Sequence, residues 1–372
     1  MSEERTPKVP TEEGRRASAP RDEGGPALTP RGTPARPPVS AREGDEIHPF
    51  PETAVGEGDV RSAAPVGEAE RGTSLWKDAW RRLLRNKLAV FGMVVVGLII
   101  LACAFGPFII KATTGYTYDF IPPDPKLVQS FPPFTAPDGH FSWTHPMGTD
   151  NEGRDLLARV LQGGRISLMV GLISTIVSLI IGVAWGATAG YLGGKVDDVM
   201  MRIVDVLYAI PYMMIVIVLL AFFGATSPLN QIFLLFAALG AVSWLTMARI
   251  VRGQIISLKN QEFVLAARAG GVSTPKIIFR HLVPNALGPV IVYATLTVPS
   301  VMLSEAFLSF LGLGVQAPYA SWGSLAQYGI QNIAIFPWQL IFPGVTMALT
   351  LFSLNFLGDG LRDALDPQMR KF

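Results

Sequence analysis

The chain has 372 residues, 49% of them hydrophobic and only 16% charged, with a mean hydropathy of +0.36. A water-soluble domain of this size could not cover so much apolar surface, so the composition reads as a membrane protein. A net charge of +2 excludes a nucleic-acid polycation, and a single cysteine, Cys103 in an apolar run, excludes a disulfide framework or a cysteine-rich metal site.

In chain order, residues 1–72 are dominated by Pro, Gly, Glu, Arg, Ser and Ala, which cannot build a core, and read as a disordered cytoplasmic tail. They contain no apolar h-region, so they do not read as a cleaved secretion signal. Residues 73–110 form a basic approach and a first span. Six apolar segments approach the roughly 20 residues that cross a bilayer: Ala89–Ile110, Ile166–Ala189, Val204–Phe223, Ile232–Ile250, Leu287–Leu311 and Trp338–Leu357. The expected fold class is an all-α membrane protein with six transmembrane helices.

Basic residues set the orientation, because cytoplasmic flanks keep Lys and Arg. Lys77, Arg81, Arg82, Arg85 and Lys87 precede the first span, Lys195 and Arg202 follow the second, and Arg252, Lys259, Arg268, Lys276 and Arg280 follow the fourth. The intervening loops 224–231 and 312–337 carry no charge. Both termini are therefore expected in the cytoplasm of a multi-pass protein of the cell membrane. The long segment 111–165 is read as extracytoplasmic, its basic residues offset by Asp119, Asp124, Asp138, Asp150, Glu152 and Asp155. Residues 166–358 then form a five-helix core containing a basic loop at 252–286, and 359–372 a cytoplasmic C-terminal tail.

Two acids fall within apolar segments, Asp205 at the start of the third and Glu305 in the outer part of the fifth. A charge at the bilayer centre costs about 2.5–3.5 kcal/mol, so each is expected to have a protein partner, either for packing or in a substrate pathway. Pro211 and Pro299 are expected to interrupt their spans. Gly171, Gly182, Gly186 and Gly190 recur at near-helical spacing along the second, which marks a close helix contact.

The chain carries no G-x-x-x-x-G-K-[ST]; the nearest stretch, LGGKVDD at 192–198, has Val196 where a hydroxyl is needed. His48, His140, His145 and His281 show no metal-ligand spacing, and no nucleophile signature occurs. Neither a catalytic residue nor a metal site is assigned, and any energy source must reside on a partner.

The stretch EFVLAARAGGVSTPKIIFRHLVPN at 262–285 is unusual for a membrane loop. Arg268 is flanked by Ala266, Ala267, Ala269, Gly270 and Gly271, so a helical turn there has almost no side-chain bulk, and the two glycines can end it. Thr274 and Pro275 read as the N-cap and first turn of a second helix, closed by Pro284, with Ile277, Ile278, His281 and Leu282 on one side and Lys276 and Arg280 on another. Such a basic amphipathic element suits either a lipid surface or a cytoplasmic protein.

At these residues the chain resembles the EAA loop of ABC importer permeases. Ala266, Ala267, Gly271 and Pro284 fall in register, Val283 replaces a leucine, and Leu265 and His281 stand where the pattern has glutamate and isoleucine. RRLLRNKLAVFG, HPMGTDNEGRDLLARVLQGGRISLMVG, MRIVDVLYAIP, ARIVRGQ, LSFLGLGVQAPYASWG and LGDGLRDALDP extend the likeness to the C-type permease subunit of dipeptide, oligopeptide and nickel importers. The resemblance implies a type I ABC importer permease fold and a non-catalytic subunit. Its implied partners are a homologous second permease, two cytoplasmic ATPases that hold the ATP and Mg, and an external substrate-binding protein. It further implies that Ala266, Ala267, Arg268, Gly270, Gly271, Pro275, Arg280 and Pro284 couple to an ATPase. The loops with Gly148, Asp150, Arg154 and Asp155, and with Gln316 and Trp322, are implied to face the binding protein. Peptides are the expected cargo, with nickel complexes or oligosaccharides as alternatives; a secondary transporter or channel is the competing class.

Overall fold

The computed structural model describes residues 75–127, 129–136 and 138–365; the expected tail 1–72 lies outside the described residues, as do 366–372. A short amphipathic helix α1 (Leu75–Arg85) leads into α2 (Lys87–Thr114), whose N-cap Asn86 accepts from the Leu88 and Ala89 N–H groups. Three further helices long and apolar enough to span are α3 (Leu156–Leu192), α6 (Pro228–Leu258) and α11 (Trp338–Leu365). A fifth is one continuous rod made of α8 (Thr274–Lys276), a π turn (Ile277–Leu282) and α9 (Val283–Phe310). Between α3 and α6 stand α4 (Gly194–Ala209) and α5 (Tyr212–Phe223), and short helices α7 (Glu262–Ala269) and α10 (Trp322–Gln331) fill two connections.

Five of the six expected spans are therefore continuous helical segments, each extending beyond its apolar run at one end or both. The third, Val204–Phe223, is interrupted at Pro211 as expected: α4 and α5 meet at an 85° bend. Ile210 before Pro211 is extended (φ −84°, ψ 131°), because a proline ring disfavours helical backbone in the residue before it. Pro299, by contrast, sits inside unbroken α9 and does not interrupt its span. A transmembrane helix tolerates one lost backbone bond where neighbouring groups compensate. The segment 111–165 is also shorter as a loop than expected, since α2 runs to Thr114 and α3 begins at Leu156. The expected uncharged loop 312–337 contains α10.

Glycines set the helix spacing. A Cβ on Gly182 would meet Met247 Cγ at 2.5 Å, one on Gly186 would strike the Ala248 carbonyl, and one on Gly190 would meet the Arg252 carbonyl at 2.9 Å. Three of the four glycines read from the sequence thus seat α3 against α6, with the two helices running parallel, and Gly171 faces Val298 and Met302 of α9. The register Ser167–Glu305 and Gly171–Val298 makes α9 antiparallel to α3. Gly92 against Ser353, with Gly360 against Ala89, makes α11 antiparallel to α2. It follows that α1, the α3–α4 turn, α7 and the end of α11 share one end of the bundle, and α10 lies at the other.

Candidate functional site

At the α7 end, the small-residue turn is a helix terminus held by a Schellman motif. The Val272 N–H bonds the Ala267 carbonyl and the Gly271 N–H the Arg268 carbonyl, both at 3.1 Å. Gly271 carries the left-handed backbone at φ +73°, whereas Gly270 does not (φ −73°). The following helix is capped by Ser273, one residue before the expected Thr274, with Pro275 in its first turn. Pro284 does not close it. The Val283 N–H bonds the Ile278 carbonyl, five residues back, and this widened π turn carries the chain past the proline ring into α9. The basic loop expected over 252–286 likewise begins within α6, which runs to Leu258.

The turn presents two faces. Val264 is buried and Ala267 and Val272 half-buried in a cluster with Ile255, Ile277, Ile278 and Leu282. Ala266, Arg268, Ala269, Gly270, Gly271, Pro275, Arg280 and Pro284 are exposed, together with Phe263 and Leu265, which the small-residue pattern did not single out. Leu265 therefore offers an apolar contact where the family pattern has an acid.

Three contacts tie this end of the bundle together, the first of them from the turn itself. Arg268 Nη2 donates to Tyr191 Oη at 3.4 Å, with the guanidinium 5.5 Å from the ring centre, so Arg268 reaches α3 of its own chain. Arg252 grips Asp197 through two bonds of 2.6 Å, a fork-to-carboxylate geometry that locks the α3–α4 turn to α6. Lys259 Nζ donates at 3.1 Å to the Gly190 carbonyl near the negative end of α3.

At the α10 end, the stretch GTDNEGRD folds into a tight turn organised by its own acids. Asp150 accepts from the Glu152 and Arg154 N–H groups at 2.9 Å, from Arg154 Nε at 2.8 Å, and also pairs with Arg159. Asp155 is 2% exposed: it caps α3 by accepting from the Ala158 N–H at 2.7 Å and pairs with His145 Nδ1 at 2.9 Å. Gly148, at φ +77° and against the Phe131 carbonyl, is also buried. Trp322 is fully buried, its Nε1 donating to the Val160 carbonyl at 2.8 Å. Gly148, Asp155 and Trp322 thus position this surface and cannot themselves face a partner, a correction that burial imposes. Gln316, Asn151 and Glu152 are exposed, with Asp150 and Arg154 half-buried behind them. Replacing Asp155 with alanine is expected to lower stability by about 1–3 kcal/mol through loss of the cap and of the His145 partner, read as a lower melting temperature in detergent.

The two acids of the apolar segments separate. Glu305 is 1% exposed and accepts from Ser309 Oγ at 2.6 Å and Ser167 Oγ at 3.4 Å, while Ser309 Oγ lies 3.2 Å from Ser321 Oγ at the start of α10. It joins α3, α9 and α10 by packing. Asp205 instead accepts from Arg249 Nη2 at 2.8 Å on an exposed flank, where the Arg249 guanidinium lies 4.1 Å from the Tyr208 ring centre.

Comparison with known proteins places these features in a family. Residues 182–371 match the model of the binding-protein-dependent transport system inner membrane component, and residues 74–124 match the N-terminal TM domain of oligopeptide transport permease C. The oligopeptide transport system permease protein OppC of Escherichia coli (strain K12) is 50% identical over 299 residues, 80% of this chain and 93% of that protein. OppC of Bacillus subtilis (strain 168) is 43% identical over 83% of this chain and 96% of its own length. A solved chain from inward-facing conformations of the MetNI methionine ABC transporter is similar at a TM-score of 0.46 and 19% identity, covering 57% of this chain and 96% of that one.

Proposed function

This chain belongs to the binding-protein-dependent transport system inner membrane components, the permease subunits of ABC importers, and we propose that it forms one half of a passage for oligopeptides. The other half is a homologous second permease. Two cytoplasmic ATPases supply the work, and an external binding protein delivers cargo to the surface around Asn151, Glu152 and Gln316. The α7 end is the cytoplasmic one, so both termini are cytoplasmic, in keeping with the basic residues that gather there.

The observation that carries this reading is the α7 turn: a low-bulk, exposed helix end whose buried side is built into α3, α6 and the α9 rod. A rigid mount of this kind converts a shift of a bound ATPase into a rigid-body movement of the spans. The names of the similar permeases support peptide as cargo. The chain's own part in this is mechanical.

Affinity purification of the chain from its native membrane should recover two ATPase subunits and a second permease. Vesicles loaded with that complex and its binding protein should accumulate peptide only with ATP. Uptake that follows an ion gradient and ignores ATP would instead identify a secondary transporter and overturn the assignment.

A further inference from the structure

Where α4 and α5 diverge at Ile210 and Pro211, they leave a cavity of about 550 Å³ against α6 and α9. From α9 it is lined by Tyr293, Thr297, Ser300 and Ser304, spaced four, three and four residues apart and hence on one helix face. Ser243 and Thr246 add hydroxyls from α6, and Tyr208 and Tyr212 add them from either side of the break. No charged side chain is among the lining residues. Leu98 on α2 and Phe352 on α11, outside this lining, are exposed and apolar, the chemistry expected against lipid.

Four of the hydroxyl hydrogens are already committed to backbone carbonyls. Thr297 Oγ1 donates to the Tyr293 carbonyl at 2.8 Å, Ser300 Oγ to Leu296 at 3.2 Å, Ser304 Oγ to Ser300 at 2.9 Å and Ser243 Oγ to Leu239 at 2.7 Å. Each such oxygen keeps acceptor capacity and has no proton left to give. The wall is therefore neutral and offers acceptors, most openly at Ser300, since Tyr212 shares the Ser304 and Ser243 oxygens and Tyr293 that of Thr297.

The rim says which medium the cavity meets. Tyr208 lines it, Arg249 stacks on Tyr208, and Asp205 pairs with Arg249, both side chains well exposed at 60% for Asp205 and 39% for Arg249. Arg249 lies roughly 14 Å along the axis from the end of α6, at 1.5 Å per residue. A charged pair at the end of the apolar run 232–250 is placed towards water or protein, not lipid. This flank thus faces water or a protein neighbour, as the wall of a passage between two permeases would.

We infer that this hydroxyl-lined cavity is the chain's wall of the translocation passage. Its neutral acceptors engage the N–H groups of an extended peptide backbone and ammonium terminus, whatever the charge of the side chains. The inference rests on the importer reading above and extends it to the cargo contacts. A fixed charge in the wall would favour one class of side chain and repel the other, whereas a peptide offers backbone N–H groups in every sequence.

The test uses the complete transporter in vesicles, with Cys103→Ala as the background. Ser300→Cys and Ser304→Cys should react at least tenfold faster with a charged, membrane-impermeant thiol reagent, applied to both faces, than Leu98→Cys and Phe352→Cys. Equal rates overturn the passage assignment. The Ser300→Ala, Ser304→Ala double variant should lose at least fivefold of the maximal uptake rate for acidic, neutral and basic peptides alike, at saturating loaded binding protein. An unchanged rate, or a loss confined to one charge class, overturns the neutral-acceptor role. Fast labelling in a transporter that carries some other N–H-bearing solute and no peptide supports the passage and overturns the peptide reading alone.

Discussion

Replacing Gly271 with valine is expected to reduce ATP-driven uptake by the reconstituted transporter at least tenfold while the protein still inserts and its helices still form. The cause is local backbone geometry. Gly271 holds φ +73° in the Schellman turn, and nothing lies within 4 Å of the position a Cβ would take, so crowding inside the chain plays no part. A left-handed conformation costs an L-residue about 1–2 kcal/mol, and a β-branched side chain fits it worst. The Val272-to-Ala267 bond that closes the turn is then lost, the exposed end of α7 changes shape, and the new side chain stands on the surface proposed to seat the ATPase. Asparagine tolerates this conformation, so Gly271→Asn should retain more of the activity than valine. Uptake and ATPase stimulation are measured together, and wild-type rates for Gly271→Val would sink the coupling role of the turn.

Gly186→Leu should have the larger effect on the fold itself. Here the position of a Cβ collides with the Ala248 carbonyl and lies 3.0 Å from Arg252 N, and backbone cannot swing aside as a side-chain tip can. Accommodating leucine means parting α3 from α6 along a close helix contact, and with it the Asp197–Arg252 fork at one end. Overpacking in a core costs roughly 1–3 kcal/mol, and a clash with backbone belongs at the upper end. The melting temperature of the detergent-solubilised chain should fall sharply, with loss of assembled transporter. Gly97→Leu, on a face of α2 where nothing lies within 4 Å, should leave both unchanged. Similar losses for the two variants would mean that helix propensity, not the α3–α6 contact, decides the outcome.

Much of this architecture is legible in the order of the amino acids. Hydrocarbon admits only segments of about 20 apolar residues with internally satisfied backbones, so spans announce themselves by composition. Close helix contact in a membrane needs small residues at helical spacing, so Gly182, Gly186 and Gly190 mark the α3–α6 seam. The low-bulk surface at Ala266–Gly271 follows from residue size in the same way, and its end at Gly271 from the backbone that only glycine adopts cheaply.

Less is legible where residues of one type serve two purposes. Asp155 and Trp322 look like surface-loop residues by position, yet the first caps a helix and the second fills the space beside Gly164. Asp150 spends its oxygens within its own turn, leaving Asn151 and Glu152 outermost. Helix α10 hides in an uncharged stretch too short to register as a span. Pro211 marks a possible break, but Pro299 looks the same in the sequence and leaves its helix whole.

By itself the sequence determined the class of molecule, the location of the spans, the seam of the bundle and the low-bulk turn, because each depends on chemistry local to one segment: apolar length, residue size or permitted backbone angle. Only the tertiary structure decided that α4 and α5 part by 85°, that Arg268 turns to Tyr191, and that hydroxyls from α4, α5, α6 and α9 converge on one cavity. These depend on which segments meet in space. The energy of a side chain in any of them is set by neighbours tens of residues distant along the chain, and no periodicity within one helix records those neighbours.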